Sequence, residues 1–294
     1  MKLINGKDIA AAIKAEIAAE VNELKTQNTR MPHLAAILVG NDPASETYVA
    51  NKEKACAEVG MCSSVYKVPE TISEKELIET IQFINNDDEI DGLIVQLPLP
   101  KHIDVDNIIA SIDPKKDVDG FHPVNIGRMV LGQDAYVSAT PMGIAMLLER
   151  SGVETEGKHC VVVGRSNIVG TPVSILLSRN NKKANSTVTL CHSKTADLPQ
   201  LCQTADILIA AIGKCEMITA DYVKKGATVI DVGIHRVSDP SKKSGFALKG
   251  DVKFDEVAPL CEYITPVPGG VGPMTIVGLI LNTLKAYKRT MGKA

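Results

Sequence analysis

The sequence of 294 residues contains no tryptophan, and aromatic residues make up only 3% of it. We therefore do not expect the aromatic platforms on which nucleic-acid bases stack. The net charge of −3 shows none of the basic excess that is typical of nucleic-acid-binding proteins. No apolar run approaches the roughly 18 residues of a membrane span, and the first residues lack the apolar segment of a signal peptide. From these absences we predict that the protein binds neither nucleic acid nor a membrane.

The cysteines also lack a pattern, because seven of them are scattered with no Cys-x-x-Cys pair and no zinc-finger spacing. An odd number of unclustered thiols favours a reducing compartment, so we expect a cytoplasmic protein whose cysteines mostly serve as small buried side chains. The stretch Asp117-Val118-Asp119-Gly120 resembles half of a calcium loop, but the later glutamate ligand is missing. We therefore predict no metal site.

Apolar patterning in the first half predicts alternating helices and strands. An apolar stripe at steps of three and four residues predicts a helix over residues 8–27. Continuous apolar runs predict buried strands at 34–40 and 92–100, with a weaker strand at 63–68. A capping box beginning at Ser73 predicts the start of another helix. This βαβαβ order favours a parallel sheet with helices on its faces.

The second half repeats the alternation after a new helix, for which we predict Thr140 as the N-cap and Pro141 as the first helical residue. We place a domain boundary there. The first domain is predicted to cover 1–139 and to be completed by a C-terminal helix over 274–290, and the second to cover 140–273. The predicted fold class is α/β, with two domains that are each a mainly parallel sheet with flanking helices. The second domain is predicted to be Rossmann-like.

A glycine turn in the second half has the context of a nucleotide site. The run Gly164-x-Ser166-x-x-x-Gly170 follows a predicted strand and precedes a helix, although it departs from GxGxxG by one extra residue. The next strand ends in His192-Ser193-Lys194, without the acid that binds the ribose of NAD. Because Arg165 suits a 2′-phosphate, NADP is favoured over NAD. The alternative is that Arg165 and Lys194 simply face solvent.

Polar side chains with possible chemical roles lie in the first half. Tyr48 and Lys52 are four residues apart on a helix whose start is signalled by Asp42-Pro43, so they share one face. A phenol and an amine together can transfer protons, although such a pair can also be merely solvated. Gln96 stands at the end of an apolar strand, where its amide could bind a polar heterocycle. A glutamine facing solvent is the alternative.

Taken together, these motifs resemble the bifunctional methylenetetrahydrofolate dehydrogenase/methenyltetrahydrofolate cyclohydrolase family. The resemblance runs from one end of the chain to the other and implies a two-domain α/β fold, a homodimer, and NAD(P) bound to the second domain. The stretches that carry it are Tyr48-x-x-x-Lys52, Val95-Gln96-Leu97-Pro98-Leu99-Pro100, Lys116-Asp117-Val118-Asp119-Gly120-Phe121, Gly164-Arg165-Ser166, Asp231-Val232-Gly233-Ile234 and Pro268-Gly269-Gly270-Val271-Gly272-Pro273-Met274-Thr275.

Matching positions give each candidate residue an implied role. Lys52 is implied as the central catalytic residue, assisted by Tyr48 and Gln96, and Asp119 as the acid that binds the pterin ring. The remaining folate-binding assignments are Tyr48, Gln96, Pro268, Gly269 and Gly270. The cofactor-binding assignments are Gly164, Arg165, Ser166, Ser193, Ile234 and Thr140. The sequence departs from the family at Ser138-Ala139, where Pro-Cys is frequent, and at His235, where many members have asparagine.

The implied activity is oxidation of 5,10-methylenetetrahydrofolate to 5,10-methenyltetrahydrofolate with NADP, followed by hydrolysis to 10-formyltetrahydrofolate. Such an enzyme belongs to one-carbon metabolism and supports purine biosynthesis. Two alternatives stay open at this point. An NADP dehydrogenase of the shikimate or amino-acid type would lack the set formed by Tyr48, Lys52, Gln96 and residues 268–275. A non-catalytic folate-binding protein should have lost Lys52 or the glycine turn.

Overall fold

The structure is a computed structural model that describes residues 1–27, 29–242 and 245–292. The chain forms two compact units, each assembled from separate stretches of sequence. The three-stranded unit comprises Ala12–Ala139 and Ile276–Ala294, and the six-stranded unit comprises Met1–Ala11 and Thr140–Thr275. The predicted first domain began at residue 1, whereas residues 1–11 lie in the six-stranded unit.

Strands and helices alternate along most of the chain. The strands are β1 (Lys2–Leu3), β2 (His33–Val39), β3 (Cys62–Val68), β4 (Gly92–Val95), β5 (His159–Val163), β6 (Thr187–Cys191), β7 (Ile207–Ala210), β8 (Thr228–Asp231), β9 (His235–Ser238), β10 (Phe246–Lys249) and β11 (Tyr263–Ile264). The α-helices are α1 (Gly6–Thr26), α2 (Pro43–Glu58), α3 (Glu74–Asn85), α4 (Val105–Ser111), α5 (Pro123–Val130), α6 (Ala139–Arg150), α7 (Gly170–Leu177), α8 (Leu198–Cys202), α9 (Phe254–Val257) and α10 (Gly272–Thr290).

In the three-stranded unit, β2 lies between β3 and β4, and both pairings are parallel, as the βαβαβ pattern predicted. Its core joins the central strand to α3 through Ile37, Leu77 and Ile81, which are all fully buried. β4 ends at Val95, five residues before the predicted end of that strand. Proline has no backbone N–H to donate to a neighbouring strand. The residues after Val95, which include Pro98 and Pro100, therefore leave the sheet.

Local capping fixes where the helices of this unit begin. The Asp42 carboxylate accepts a 2.8 Å hydrogen bond from the Ser45 backbone N–H, and Pro43 occupies the first turn of α2. Ser73 and Glu76 form the predicted capping box at the start of α3. α6 begins at Ala139, so Thr140 lies within its first turn and the predicted N-cap role for Thr140 is wrong. Proline is tolerated throughout a first helical turn, so Pro141 does not mark the exact start.

From Ile276 onward, α10 packs in the three-stranded unit. Its apolar side chains Leu279, Ile280, Leu284 and Tyr287 are buried. Polar contacts add to this packing. The Asn282 side chain donates hydrogen bonds to the carbonyls of residues 118 and 137, at 2.8 and 2.9 Å. The helix therefore fixes two loops of this unit as well as covering its core.

The six-stranded unit has the strand order β1-β11-β8-β7-β5-β6, and all of its pairings are parallel. β5 to β8 reproduce the predicted Rossmann-like alternation, and β9 and β10 form a separate antiparallel hairpin. Buried aliphatic side chains such as Val161, Leu208 and Val229 form its core. The chain leaves β5 toward β6 on one side and returns to β7 on the other. Ligands of open parallel sheets bind at such a switch point, beyond the carboxyl ends of the strands.

Candidate functional site

In the three-stranded unit, Lys52 and Gln96 are brought into direct contact. The Lys52 Nζ donates a 3.1 Å hydrogen bond to Gln96 Oε1, from the middle of α2 to the residue that follows β4. The Gln96 Nε2 donates to the Leu97 carbonyl at 2.6 Å. With its nitrogen used in this way, the amide presents its oxygen to the amine. Lys52 is half-buried, so this bond is partly shielded from solvent.

Tyr48 lies one helical turn before Lys52 on α2, and its side chain is 58% exposed. Among the described residues, the Lys52 amine bonds to Gln96 and not to the Tyr48 hydroxyl. The phenol ring is therefore accessible to solvent, and its hydroxyl makes no hydrogen bond within the part of the chain that the structure describes. These are groups that can contact a planar ligand.

Asp119 lies in the same unit and interacts electrostatically with Lys52. Loss of hydration raises the pKa of Asp119 above its usual value, and the positive charge of Lys52 opposes that shift. A narrow, mainly apolar cavity adjoins this acid, and its lining includes Val95, Leu97, Ile109, Asp117, Asp119 and Phe121. An ionised carboxylate only accepts hydrogen bonds, so Asp119 suits a ring that carries several N–H donors.

In the six-stranded unit, Gly164 and Gly170 form a turn that leaves no room for side chains. Gly164 follows β5 with φ +122°, and a Cβ there would lie 2.0 Å from the Ala211 carbonyl oxygen. A Cβ on Gly170, the first residue of α7, would lie 1.8 Å from the Gly164 carbonyl oxygen. Only glycine fits at either position, so the backbone is free to approach a ligand closely.

The surroundings of this turn suit an anion. The residue that precedes α7, Val169, provides no side-chain cap, and the Ser166 hydroxyl accepts a 3.2 Å hydrogen bond from the Val169 N–H. The side chains of Arg165 and Ser166 are exposed, as is Ser193, which follows β6. No acidic residue follows directly after β6. Backbone N–H groups, an arginine and hydroxyls form a donor set for phosphate groups.

Ile234 follows β8, and its side chain is 50% exposed. Sequence reasoning gave no role to the buried acids that hold this segment. Asp251 pairs with His235 at 2.8 Å and accepts hydrogen bonds from the backbone N–H groups of Ile212 and Gly213, at 2.6 and 2.9 Å. Asp251 therefore ties the segments that follow β7 and β8 to each other.

A second buried acid, Asp231, accepts hydrogen bonds from the N–H groups of Gly233, Asp251 and Val252, and burial raises its pKa to about 6. Asp231 stood in one of the stretches that carry the family resemblance, without a role of its own, and the only sequence signal for Asp251 was an aspartate beside a glycine, in Gly250-Asp251. That pattern is also common in ordinary turns.

The predicted folate-binding loop over residues 268–270 lies in the six-stranded unit, and Thr140 lies in the first turn of α6. The Gly269 carbonyl accepts a 3.1 Å hydrogen bond from the Lys7 backbone N–H. A Cβ on Gly6 would lie 1.8 Å from the Gly270 carbonyl oxygen. The start of α1 thus packs tightly against this loop and fixes its shape.

Two negative findings concern the part of the chain that the structure describes. There, no group of three or more histidine, cysteine, aspartate or glutamate side chains is placed to hold a metal ion. Within these described residues, no helix is both long enough and apolar enough to cross a bilayer.

Comparison with known proteins gives one consistent result. A model of the tetrahydrofolate dehydrogenase/cyclohydrolase catalytic domain matches residues 4–119, and a model of the corresponding NAD(P)-binding domain matches residues 138–291. The bifunctional protein FolD of Porphyromonas gingivalis is 58% identical over 287 residues, which cover 98% of this chain and 97% of the relative. The Bacteroides thetaiotaomicron protein of the same name is 57% identical over 293 residues, which cover 100% of each chain to the nearest per cent.

Solved structures agree with these matches. The bifunctional FolD enzyme of Campylobacter jejuni, a methylenetetrahydrofolate dehydrogenase/cyclohydrolase, has a TM-score of 0.92 at 46% identity and covers 98% of this chain and 99% of that chain. The Trypanosoma brucei dehydrogenase-cyclohydrolase, solved with NADP cofactor and an inhibitor, has a TM-score of 0.91 at 38% identity and covers 98% of each chain.

The electrostatic interaction between Lys52 and Asp119 can be tested by titration. Replacing Lys52 with methionine removes the positive charge that favours ionised Asp119, so the pKa of Asp119 should rise further above its usual value. Carboxyl ¹³C NMR titration of both proteins measures this change, and Lys54→Met, on the same helix, is the control. An Asp119 pKa that is the same in Lys52→Met and in the unchanged protein would show that the two groups do not interact.

Proposed function

Because the chain belongs to the tetrahydrofolate dehydrogenase/cyclohydrolase family, we propose that its chemistry depends on Lys52, held by Gln96 and assisted by Tyr48. The enzyme oxidises 5,10-methylenetetrahydrofolate to 5,10-methenyltetrahydrofolate with NADP and then hydrolyses the product to 10-formyltetrahydrofolate. The observation that supports the role of Lys52 is its 3.1 Å hydrogen bond to Gln96, beside an acid with which it interacts electrostatically.

Groups exposed in the six-stranded unit support the following assignments for NADP binding. The cofactor, when bound, accepts the hydride that leaves the methylene carbon of the folate. We assign its pyrophosphate to the Gly164 turn, Ser166 and the N-terminal end of α7, where the backbone is unobstructed. Arg165 is assigned to the 2′-phosphate, because it is exposed beside that turn. The remaining cofactor assignments are Ser193, Ile234 and Thr140.

Folate binding is assigned first to Asp119. An ionised carboxylate accepts two hydrogen bonds, which matches the adjacent N–H donors along one edge of a pterin ring. The exposed ring of Tyr48 and the amide of Gln96 provide further contacts in the same unit. We also assign the loop at Pro268, Gly269 and Gly270 to folate binding. Its fixed backbone supports this role, since a shaped loop loses little entropy when it binds.

Lys52 is assigned to the hydrolytic step, which requires proton transfers that the hydride step does not. Water must lose a proton as it attacks the methenyl carbon, and the bridge opens when one folate nitrogen takes up a proton. An amine can accept and return a proton at this position, whereas the Gln96 amide holds the amine in place. In its protonated state Lys52 also favours ionised Asp119, so the same side chain supports folate binding.

Replacing Lys52 with arginine should separate the two activities. Arginine keeps a positive charge but cannot act as a base, so methenyl hydrolysis should fall by about a hundredfold or more. Any remaining dehydrogenase activity should release methenyltetrahydrofolate, which is measured by its absorbance. Lys54→Arg, two residues along α2, is the matched control and should retain both activities. Near wild-type hydrolysis by correctly folded Lys52→Arg protein would transfer the proton-transfer role to Tyr48.

We propose that NADP is strongly preferred over NAD, since β6 is followed by His192-Ser193-Lys194 and not by an acid. Arg165→Ala should raise the KM for NADP by about tenfold and change the KM for NAD little, because only NADP has the 2′-phosphate. Steady-state kinetics with both cofactors measures this difference. Lys225→Ala, on the loop before β8, is the control. Equal catalytic efficiency of the unchanged enzyme with NADP and NAD would contradict the proposal.

We also propose that the enzyme is a cytoplasmic homodimer whose formyl product supports purine biosynthesis. The resemblance to the family supports the dimer, and the seven free cysteines are consistent with a reducing compartment. Light scattering of the purified protein should give twice the mass of the chain at micromolar concentration. A monomer mass that does not change with protein concentration would contradict the dimer.

A further inference from the structure

We propose that Asp117 is a positioning residue for folate, because its buried carboxylate closes the turn that presents Asp119. This inference rests on the proposed function, in which Asp119 binds the pterin ring. Asp117 itself does not touch the substrate in this proposal. It acts only through the shape of the loop.

The hydrogen bonds of Asp117 span the turn around Asp119. Its side chain is almost completely buried, and it accepts hydrogen bonds from the backbone N–H groups of Phe121 at 3.2 Å and His122 at 2.9 Å. A third bond of 2.8 Å comes from the Asn125 side chain on α5. All of these donors follow Asp119 in the chain, whereas Asp117 precedes it. The carboxylate therefore joins the two sides of the turn.

Both neighbours of Asp119 are fixed as well. The Val118 carbonyl accepts a hydrogen bond from Asn282, and Gly120 has φ +71° with no room for a Cβ, which would lie 2.7 Å from the Ser138 nitrogen. Among the described residues, the Asp119 carboxylate makes no hydrogen bond, although it interacts electrostatically with Lys52. The fixed backbone on both sides thus holds a carboxylate that makes no hydrogen bond to the described residues and can accept hydrogen bonds from a ligand. That is the arrangement of a preorganised binding group.

The donors that hold Asp117 are all uncharged. Asn125 donates to both Asp117 and the Pro114 carbonyl, and its oxygen accepts a 3.3 Å hydrogen bond from the Tyr136 N–H. A lysine or arginine in the place of Asn125 would also attract the nearby Asp119. Neutral donors hold Asp117 without adding a positive charge that would also attract Asp119. The buried Asp117 carboxylate is then left without a neighbouring cation, which is unfavourable. Burial accordingly raises the pKa of Asp117 to about 6.

The test is Asp117→Asn in the full-length enzyme. The amide keeps one acceptor but brings an NH₂ group against N–H donors, so the turn should lose its shape. We expect the KM for methylenetetrahydrofolate to rise about tenfold, and the KM for NADP to change less than about twofold. Asp91→Asn is the matched control, because Asp91 is a buried acid of the same unit that accepts the His33 N–H and pairs with Arg30. It should lower the melting temperature and leave the folate KM unchanged.

A parallel Asp119→Asn variant separates the inference from the proposed function. If Asp119→Asn weakens folate binding and Asp117→Asn does not, the positioning role is wrong and the proposed function stands. If Asp119→Asn leaves folate binding unchanged, the assignment of the pterin site itself is wrong. A rise in folate KM as large in Asp91→Asn as in Asp117→Asn would mean that general destabilisation is the cause, and would overturn the inference.

A second variant keeps the proposal testable if Asp117→Asn does not fold. Asn125→Ala leaves the Asp117 carboxylate in place and removes one of its donors. The folate KM should then rise about threefold or more with the NADP KM unchanged. An Asn125→Ala enzyme with an unaltered folate KM would also overturn the inference.

Discussion

Parallel pairing is the constraint on which the positions of the candidate groups depend, because all strands of a parallel sheet end at the same edge. Gln96 follows β4, Gly164 follows β5, Ser193 follows β6 and Ile234 lies shortly after β8. None of these residues is close to another in sequence. Strand direction gives each of them a similar position relative to its own strand, so these candidate residues lie at one edge of each sheet.

Loops at that edge must still be given a fixed shape, and in both units buried carboxylates do this. Asp117 shapes one loop in the three-stranded unit, and Asp231 and Asp251 shape loops in the six-stranded unit, in each case through backbone N–H donors. Burying a carboxylate is unfavourable, as the raised pKa values of Asp117 and Asp231 show. Each buried carboxylate nevertheless gives its loop a defined shape, because it accepts hydrogen bonds from several backbone N–H groups that would otherwise bond to mobile water.

Local patterns in the sequence were sufficient for most of the architecture. The stripe along α1, the capping box at Ser73 and the apolar run of β2 gave the correct elements, because their cause is contained within one segment. The glycine turn after β5 was recognisable for the same reason. The chemical roles predicted for individual residues came instead from the family resemblance, since a tyrosine and a lysine four residues apart are compatible with many roles.

Long-range pairings could not be predicted in this way. The two residues of β1 pair with β11 more than 250 positions later, and a two-residue strand has no periodicity to detect. Most hydrogen bonds of Asp117 and Asp251 come from backbone N–H groups, which every residue type except proline provides, so the sequence does not mark them. The bond from Lys52 to Gln96 likewise joins two segments that only the folded sheet brings together.

The division of the chain also has a consequence for how the protein can be made and dissected. The chain passes from one unit to the other after residues 11, 139 and 275, so neither unit is a single continuous piece of sequence. A fragment spanning only residues 140–275 would lack β1 and leave β11 as an uncovered edge, which is prone to pairing with other chains. During synthesis, residues 1–11 must wait until nearly the whole chain has left the ribosome before their strand partner exists.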